Sequence, residues 1–276
     1  MTGRPSLRLL VLITGIALSG CAYGLHLVAE EKDLPRPSRL VAQEILRTLQ
    51  EREATVASLQ AVLDLTVRRG GTQEYRREVV AIERPDLIRL ESIGWGGFTS
   101  LVVLSDGHRL VAHALLQNIF VEGSATPDNV AAVTGGLLRL LPAHLVRLLL
   151  GLPPLGVSVE KTVLYGPDGD HAYLLRGEES LFTQRLWLSD DDLSLLRGEL
   201  YDRQSLRLRF QYSPAGHELR SLLLEEPLKQ MAVEVSYRSY NLNLELPREL
   251  FRIPQPAQGA QVVNLDTELA PLLRFP

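Results

Sequence analysis

The chain has 276 residues, with 29 Lys and Arg against 33 Asp and Glu and a formal net charge of −4. The basic residues are scattered among acidic ones, which excludes the concentrated basic face that a nucleic-acid partner requires. Cys21 is the single cysteine, so no internal disulfide can form. A folded domain must then rest on its apolar core, drawn from a composition that is 45% hydrophobic but only 6% aromatic.

The first twenty residues show the three zones of a secretory signal. Arg4 and Arg8 give a positive start, Leu9 to Ala17 is apolar, and Leu18-Ser19-Gly20 places small residues before Cys21. The apolar run is shorter than the roughly 20 residues that a spanning helix needs, so Met1–Gly20 is predicted to be a cleaved leader. Leu18-Ser19-Gly20-Cys21 resembles the lipobox of bacterial lipoproteins. The resemblance implies diacylglycerol on the Cys21 thiol, cleavage before it and acylation of the new amine, with no other cofactor. Membrane lipids would then be the first partner, through Cys21. Each buried methylene contributes about 0.8 kcal/mol, so several chains hold firmly where one is marginal. Ala22 stands where aspartate retains proteobacterial lipoproteins in the inner membrane, which implies an outer-membrane, periplasm-facing anchor in the cell envelope. Residues 21–37, with Glu30, Glu31, Lys32, Asp33, Pro35 and Pro37, read as a tether.

Ser38 to about Ala57 is predicted as a helix, because Leu40, Val41, Ile45, Leu46 and Leu49 fall on one stripe. Strands follow. Leu59, Ala61, Leu63, Leu65 and Val67 alternate with polar residues, and Gly70-Gly71 turns the chain. Glu74 to Arg84, Leu87 to Ile93, Phe98 to Leu104 and His108 to Leu115 continue the pattern, with Ser105-Asp106-Gly107 as a hairpin turn. Asp128 to Val133 reads as a short helix and Leu137 to Leu150 as a longer one, relieved only by Arg139, His144 and Arg147. Pro142 near its middle is compatible with a break and a fresh helix start. A helix without a clear polar face is buried or faces lipid. Beyond Gly151-Leu152-Pro153-Pro154, strands are predicted over Val157–Tyr165, His171–Arg176, Leu181–Leu188, Leu193–Tyr201, Leu206–Tyr212, Glu218–Leu224 and Met231–Tyr240. The class is mainly β with α (α+β): a curved, unclosed antiparallel half-barrel of roughly eleven strands with helices packed in its concave face.

Three segments, in order, carry a family resemblance: Glu83-Arg84-Pro85-Asp86-Leu87-Ile88-Arg89-Leu90, then Leu104-Ser105-Asp106-Gly107-His108-Arg109-Leu110, then Leu246-Pro247-Arg248-Glu249-Leu250-Phe251-Arg252-Ile253-Pro254. The last of these reads as a strand end. The arrangement resembles the LolA/LolB superfamily of periplasmic lipoprotein carriers and receptors over most of residues 38–256. A helical insertion falls at about 127–152, and 257–276 is a C-terminal tail. The resemblance implies a non-enzymatic, outer-membrane-anchored lipoprotein that binds acyl chains of lipoproteins or lipids in an apolar cavity. It would serve lipoprotein localisation or lipid transfer, with acylated lipoproteins or a periplasmic carrier as partners. The alternative is a lipid-tethered structural or interaction module of an envelope complex with no ligand cavity. The chain departs from the family in its length and in its leucine-rich insertion.

Alternation nominates Leu63, Leu65, Val67, Leu208 and Phe210 for the concave face, and Leu141, Leu145 and Leu148 for the helix that covers it. Plain core residues carry the same signature. A polar residue at a cavity position such as Phe210, for example Phe210→Glu, is expected to block uptake and leave the fold intact. Trp95, set among glycines in Gly94-Trp95-Gly96-Gly97, reads as a membrane or partner loop. Enzyme signals are lacking: no Gly-x-Ser-x-Gly, His-Glu-x-x-His or phosphate loop occurs. His217-Glu218 has no second histidine. His108 and His113 fall on opposite faces of a strand, and Asp190-Asp191-Asp192 reads as a solvated loop, so no metal is expected.

Overall fold

A computed structural model describes residues 36–37, 39–94, 96–134, 136, 139–158, 161–167, 172–179, 182–213 and 219–267. The leader, Cys21, most of the tether and Trp95 lie outside the described residues.

After α1 (Arg39–Thr55) come β1 (Ser58–Arg69), β2 (Thr72–Glu83), β3 (Leu87–Ile93), β4 (Thr99–Asp106), β5 (Arg109–Ala114) and β6 (Ile119–Ser124). Two short helices, α2 (Pro127–Val133) and α3 (Pro142–Leu149), separate these from the second run of strands. That run is β7 (Thr162–Tyr165), β8 (Ala172–Glu179), β9 (Phe182–Ser189), β10 (Leu195–Asp202), β11 (Ser205–Ser213), β12 (Ser221–Glu226) and β13 (Met231–Leu242), with β14 (Gln261–Asn264) last. The fourteen strands among the described residues form one sheet in the order β14-β6-β5-β4-β3-β2-β1-β13-β12-β11-β10-β9-β8-β7. Its two ends do not pair, so the sheet is an unclosed, curved half-barrel, as the sequence predicts. The β1–β13 ladder joins the wing built by the first half of the chain to the wing built by the second.

The alternation in β1 sets the inner face. Leu59, Ala61, Leu63 and Val67 are buried, while Gln60 and Arg68 are exposed. Pairing carries that face outward to Val80 and Ile82 of β2 and to Val233 and Val235 of β13. A bulge at Arg238, opposite the Val62–Leu63 step, shifts the parity of β13. Tyr237, Tyr240 and Leu242 therefore all pack against the same core. Ile45 and Leu46 of α1 and Val146, Leu148 and Leu149 of α3 complete that core from above. The polar face of α1 carries Arg47, bridged to Glu44 and Glu51. Val130 and Val133 of α2 cover the far end of the first wing.

The structure adds to the sequence reading in four places. β6 and β14 extend the sheet: β6 is short and runs into Gly123 and Ser124. β14 takes four residues from the segment read as a tail and pairs parallel to β6. The leucine-rich helix begins only at Pro142, where the missing N–H is harmless. The strand expected from Val157 is confined to Thr162–Tyr165. Finally, Arg248–Phe251 is a 3-10 turn, not a strand end. It folds Leu246 and Phe251 onto Ala81 on the sheet's outer face, where Arg89 donates to the Leu250 carbonyl at 3.2 Å.

Candidate ligand cavity

Between the inner face of the first wing and the helices lies a hollow of about 120 Å³. Its floor is Leu63, Leu65 and Val67 of β1 with strands β2 to β5, β12 and β13 beside them, and its roof is α2 and α3. Strands supply this wall because alternate residues of each point inward, and the helices supply the roof because their apolar stripes have no other partner. Of the residues nominated from sequence, Leu63, Leu65, Val67 and Leu145 meet here. The remaining four do not. Leu141 is the residue before α3 and stands exposed. Leu148 of α3 does not line the hollow and is packed into the core with no exposed surface. Leu208 and Phe210 belong to the second wing and are packed into the main core. Phe210 lies against Gly198, and a Cβ at Gly198 would overlap its ring. Phe210→Glu would therefore bury a charge in solid core, so the expectation that it leaves the fold intact is corrected.

A second hollow of about 320 Å³ lies on the other side of the roof, between α1 and the second wing. Leu150 to Pro153, which follow α3 directly, form part of its wall, with Leu49, Leu188 and Tyr212. Its rim is more polar, with Arg52, Glu53 and Thr55 from α1.

Arg147, Tyr212 and Tyr237 supply polar attachments that hold α3 between these hollows. Arg147 donates through Nη1 and Nη2 to both oxygens of Glu53 in α1, at 2.6 and 2.8 Å, and through Nε to the Pro153 carbonyl at 2.5 Å. Arg84 adds a contact to Glu53 at 3.0 Å. Burial acts to raise the Glu53 carboxyl, but Arg147 and Arg84 outweigh it and hold the group below its ordinary range. The Tyr212 hydroxyl donates to the Leu148 carbonyl at 2.7 Å, and that of Tyr237 to the Leu149 carbonyl at 2.9 Å. These carbonyls lie in the last turn of α3, where the Leu148 carbonyl also accepts the Gly151 amide at 3.0 Å. Burial pushes both tyrosine pKa values upward, so the hydroxyls remain donors.

Charged groups line the hollow on its β2 side. Glu78 of β2 is buried on the inner face and accepts the Ser92 hydroxyl of β3 at 2.9 Å. Arg76, also inward, is bridged to Glu74. Sequence reasoning passed over Glu78, although it shares parity with Val80 and Ile82. Glu53, Tyr212 and Tyr237 gave no such signal, since their partners are 64 to 94 residues away.

Several of the most exposed apolar side chains lie in turns at one end of the sheet. Phe98 in the β3–β4 turn and Leu116 in the β5–β6 turn are 76% and 78% exposed, and Leu228 in the β12–β13 turn is 65% exposed. The ladders place these turns on the same edge, where Lys229 reaches the Gly136 carbonyl in the α2–α3 connection. Trp95, nominated for such a role, shares the turn of Phe98 but lies outside the described residues. On the opposite edge, Asp106 closes the predicted hairpin by accepting from the His108 and Arg109 amides. His113 packs edge-on against Phe120 on the outer face. Among the described residues, no group of three or more His, Cys, Asp or Glu is placed to hold a metal ion.

An open, curved antiparallel sheet roofed by short helices over an apolar hollow is a LolA/LolB-like fold. Three solved structures share it. A DUF1329 family protein from Desulfovibrio piger superposes with a TM-score of 0.55 at 12% identity, covering 77% of this chain and 96% of its own. A domain described as an outer membrane lipoprotein-sorting protein, from Vibrio parahaemolyticus, gives 0.51 at 12% identity, covering 76% and 97%. A LolA superfamily protein from Nitrosomonas europaea gives 0.51 at 13% identity, covering 77% and 97%. No protein-family profile and no curated protein matches the chain, so the likeness is one of fold.

Proposed function

We propose that this chain is a lipid-anchored, periplasm-facing protein of the cell envelope that takes acyl chains of lipids or lipoproteins into the hollow beneath α3. It acts by binding rather than by catalysis. The observation that carries the reading is the apolar hollow itself, floored by Leu63, Leu65 and Val67 and roofed by Leu145 and Leu149 on a helix held by a few polar attachments. Cys21, bearing diacylglycerol, supplies the anchor in this reading, and the Ala22 that follows favours the outer membrane. The apolar fringe of Phe98, Leu116 and Leu228 suits contact with a bilayer during loading or delivery.

The test is native mass spectrometry of the full chain carrying Cys21→Ser, purified gently from a bacterial periplasm. Co-purified lipid or acylated peptide that disappears in Leu145→Glu, with the fold retained, supports the reading. Leu145 is chosen because it lines the hollow and is only partly buried.

A second reading, a lipid-tethered interaction module, is favoured by one observation: the hollow is smaller than the about 300–1,000 Å³ of ordinary ligand sites. A clean unliganded mass that stays unchanged after incubation with acylated peptides and phospholipids would decide for it.

A further inference from the structure

Glu78 stands in the wall of the hollow with 2% of its surface exposed. Its Oε1 accepts the Ser92 hydroxyl, whereas Oε2 has no hydrogen-bond partner among the described residues. Nothing in the packing asks for a carboxyl here. Val80 and Ile82 continue the same face of β2, and the elements opposite present Leu63 from β1, Leu101 from β4, Val130 from α2 and Leu145 and Leu149 from α3. An unsatisfied polar atom in such a place is destabilising. No described residue supplies its partner, which what fills the hollow can provide.

The chemistry of that partner follows from the protonation of Glu78. Arg76 is the other charged residue among the described walls of the hollow, and its guanidinium is engaged by Glu74 at 2.8 Å. Burial raises the Glu78 carboxyl to about 7, against a lowering by Ser92 and Arg76. An occupant that expels water adds to the burial and favours the neutral acid further. Because Oε1 already accepts from Ser92, the acid proton resides on Oε2, the oxygen without a partner. A hydrocarbon chain offers no acceptor to that proton, and an ammonium group would require the ionised carboxylate. The carbonyl that joins an acyl chain to its ester or amide meets both conditions.

We propose that the Glu78 Oε2–H donates a hydrogen bond to the carbonyl oxygen of an acyl ester or amide held in the hollow, so that the site selects acyl groups over bare hydrocarbon. This rests on the acyl-binding reading above and assigns the polar end of the ligand to the β2–β3 side of the cavity.

The experiment uses the full chain with Cys21→Ser and measures displacement of the neutral dye N-phenyl-1-naphthylamine. Competitors are methyl laurate and n-tetradecane, which match in length and differ in the carbonyl, each delivered from cyclodextrin. Measurements are made at about pH 6 and about pH 8, either side of the Glu78 value of about 7. The expected result is a preference of about ten-fold for methyl laurate at the lower pH, the scale of one buried hydrogen bond, and a weaker preference at the higher pH. Glu78→Gln, whose amide donates without titrating, keeps the preference at both pH values. Glu78→Leu, checked for folding by circular dichroism, binds both competitors alike. A preference that persists in Glu78→Leu, a Glu78→Gln profile that still titrates, or a wild type without preference overturns the proposal and leaves acyl binding standing. Failure of both competitors to displace the dye from the wild type overturns the acyl-binding reading and this proposal with it.

Discussion

Replacing Glu53 by glutamine tests whether α3 is held to α1 by its ion pair. Glu53→Gln keeps the shape of the side chain and removes the charge that faces Arg147. The side chains of Glu53 and Arg147 are only 17% and 12% exposed, and both carboxylate oxygens are used. Removing one member of a fully buried pair costs about 3–5 kcal/mol, because the other charge is left uncompensated. Here Arg147 keeps the Pro153 carbonyl and a fringe of solvent, so we expect a loss of about 2–4 kcal/mol. In a domain of this size each kcal/mol moves the melting temperature by about 2–4 °C. The pH dependence has a definite sign. The folded Glu53 carboxyl lies below its unfolded value, so its contribution is present above the ordinary carboxylate pKa of about 4.3 and is lost as pH falls through the lower folded value. Urea unfolding across that acid range should show a limb in the wild type that is shallower in Glu53→Gln. Adding Arg147→Met should restore part of the stability, since neither charge then remains buried alone. A loss below about 1 kcal/mol, with the acid limb unchanged, would refute the assignment of this pair as the main polar attachment of α3.

Glu78 predicts the opposite slope. Its folded carboxyl is raised to about 7, so the stability it contributes is full below the unfolded value and falls as pH rises toward about 7. Glu78→Gln should remove that decline, amounting to about 3 kcal/mol, as read by urea midpoints between acidic and neutral pH. Gly198→Ala places a methyl into the Phe210 ring and beside Leu186 and should lower stability by about 1–3 kcal/mol, measured by thermal melting; an unchanged melting temperature would show that the second wing is not packed as described. Cys21→Ser should move the protein from the detergent phase to the aqueous phase in a Triton X-114 partition, and a variant still held by membranes would sink the lipid-anchor reading.

Sheet, inner face and hairpins were legible in the sequence because alternation reports parity directly. Leu59 to Val67 named the floor of the hollow, and Asp106-Gly107 named a turn. Parity reports a face but not the depth behind it. Leu208 and Phe210 have the same alternation as Leu63 and Leu65, yet one pair meets Gly198 and a filled core and the other meets a void. That difference arises from where α2 and α3 settle, which depends on contacts across the whole chain. The register change at Arg238 was equally silent, since a bulge adds one residue without altering composition. Glu78 was legible in principle: a carboxyl in phase with Val80 and Ile82 is either a functional group or a defect. The parallel pairing of β14 was hidden because four residues make too short a run for periodicity to speak.

The size of the hollow bears on how a ligand could enter. A void of about 150 Å³ accommodates one benzene ring, so 120 Å³ falls well short of a long acyl chain. The larger hollow beyond α3 is bounded by the residues that directly follow the helix. At about 320 Å³ it already lies at the low end of the range of ordinary ligand sites, about 300–1,000 Å³, and displacing α3 would add the smaller hollow to it. That movement breaks the Glu53–Arg147 pair and the two tyrosine hydrogen bonds, and it uncovers Val146, Leu148 and Leu149. An entering chain recovers about 0.8 kcal/mol for each methylene it buries, or roughly 8 kcal/mol for ten of them. The loss of the ion pair alone opposes this with about 2–4 kcal/mol, and the uncovered leucines add to the opposition until the chain covers them again. In the proposed acyl-binding reading, these terms make binding favourable yet reversible. In that reading the polar attachments near the C-terminal end of α3 close the hollow, and an acyl chain of sufficient length outweighs them.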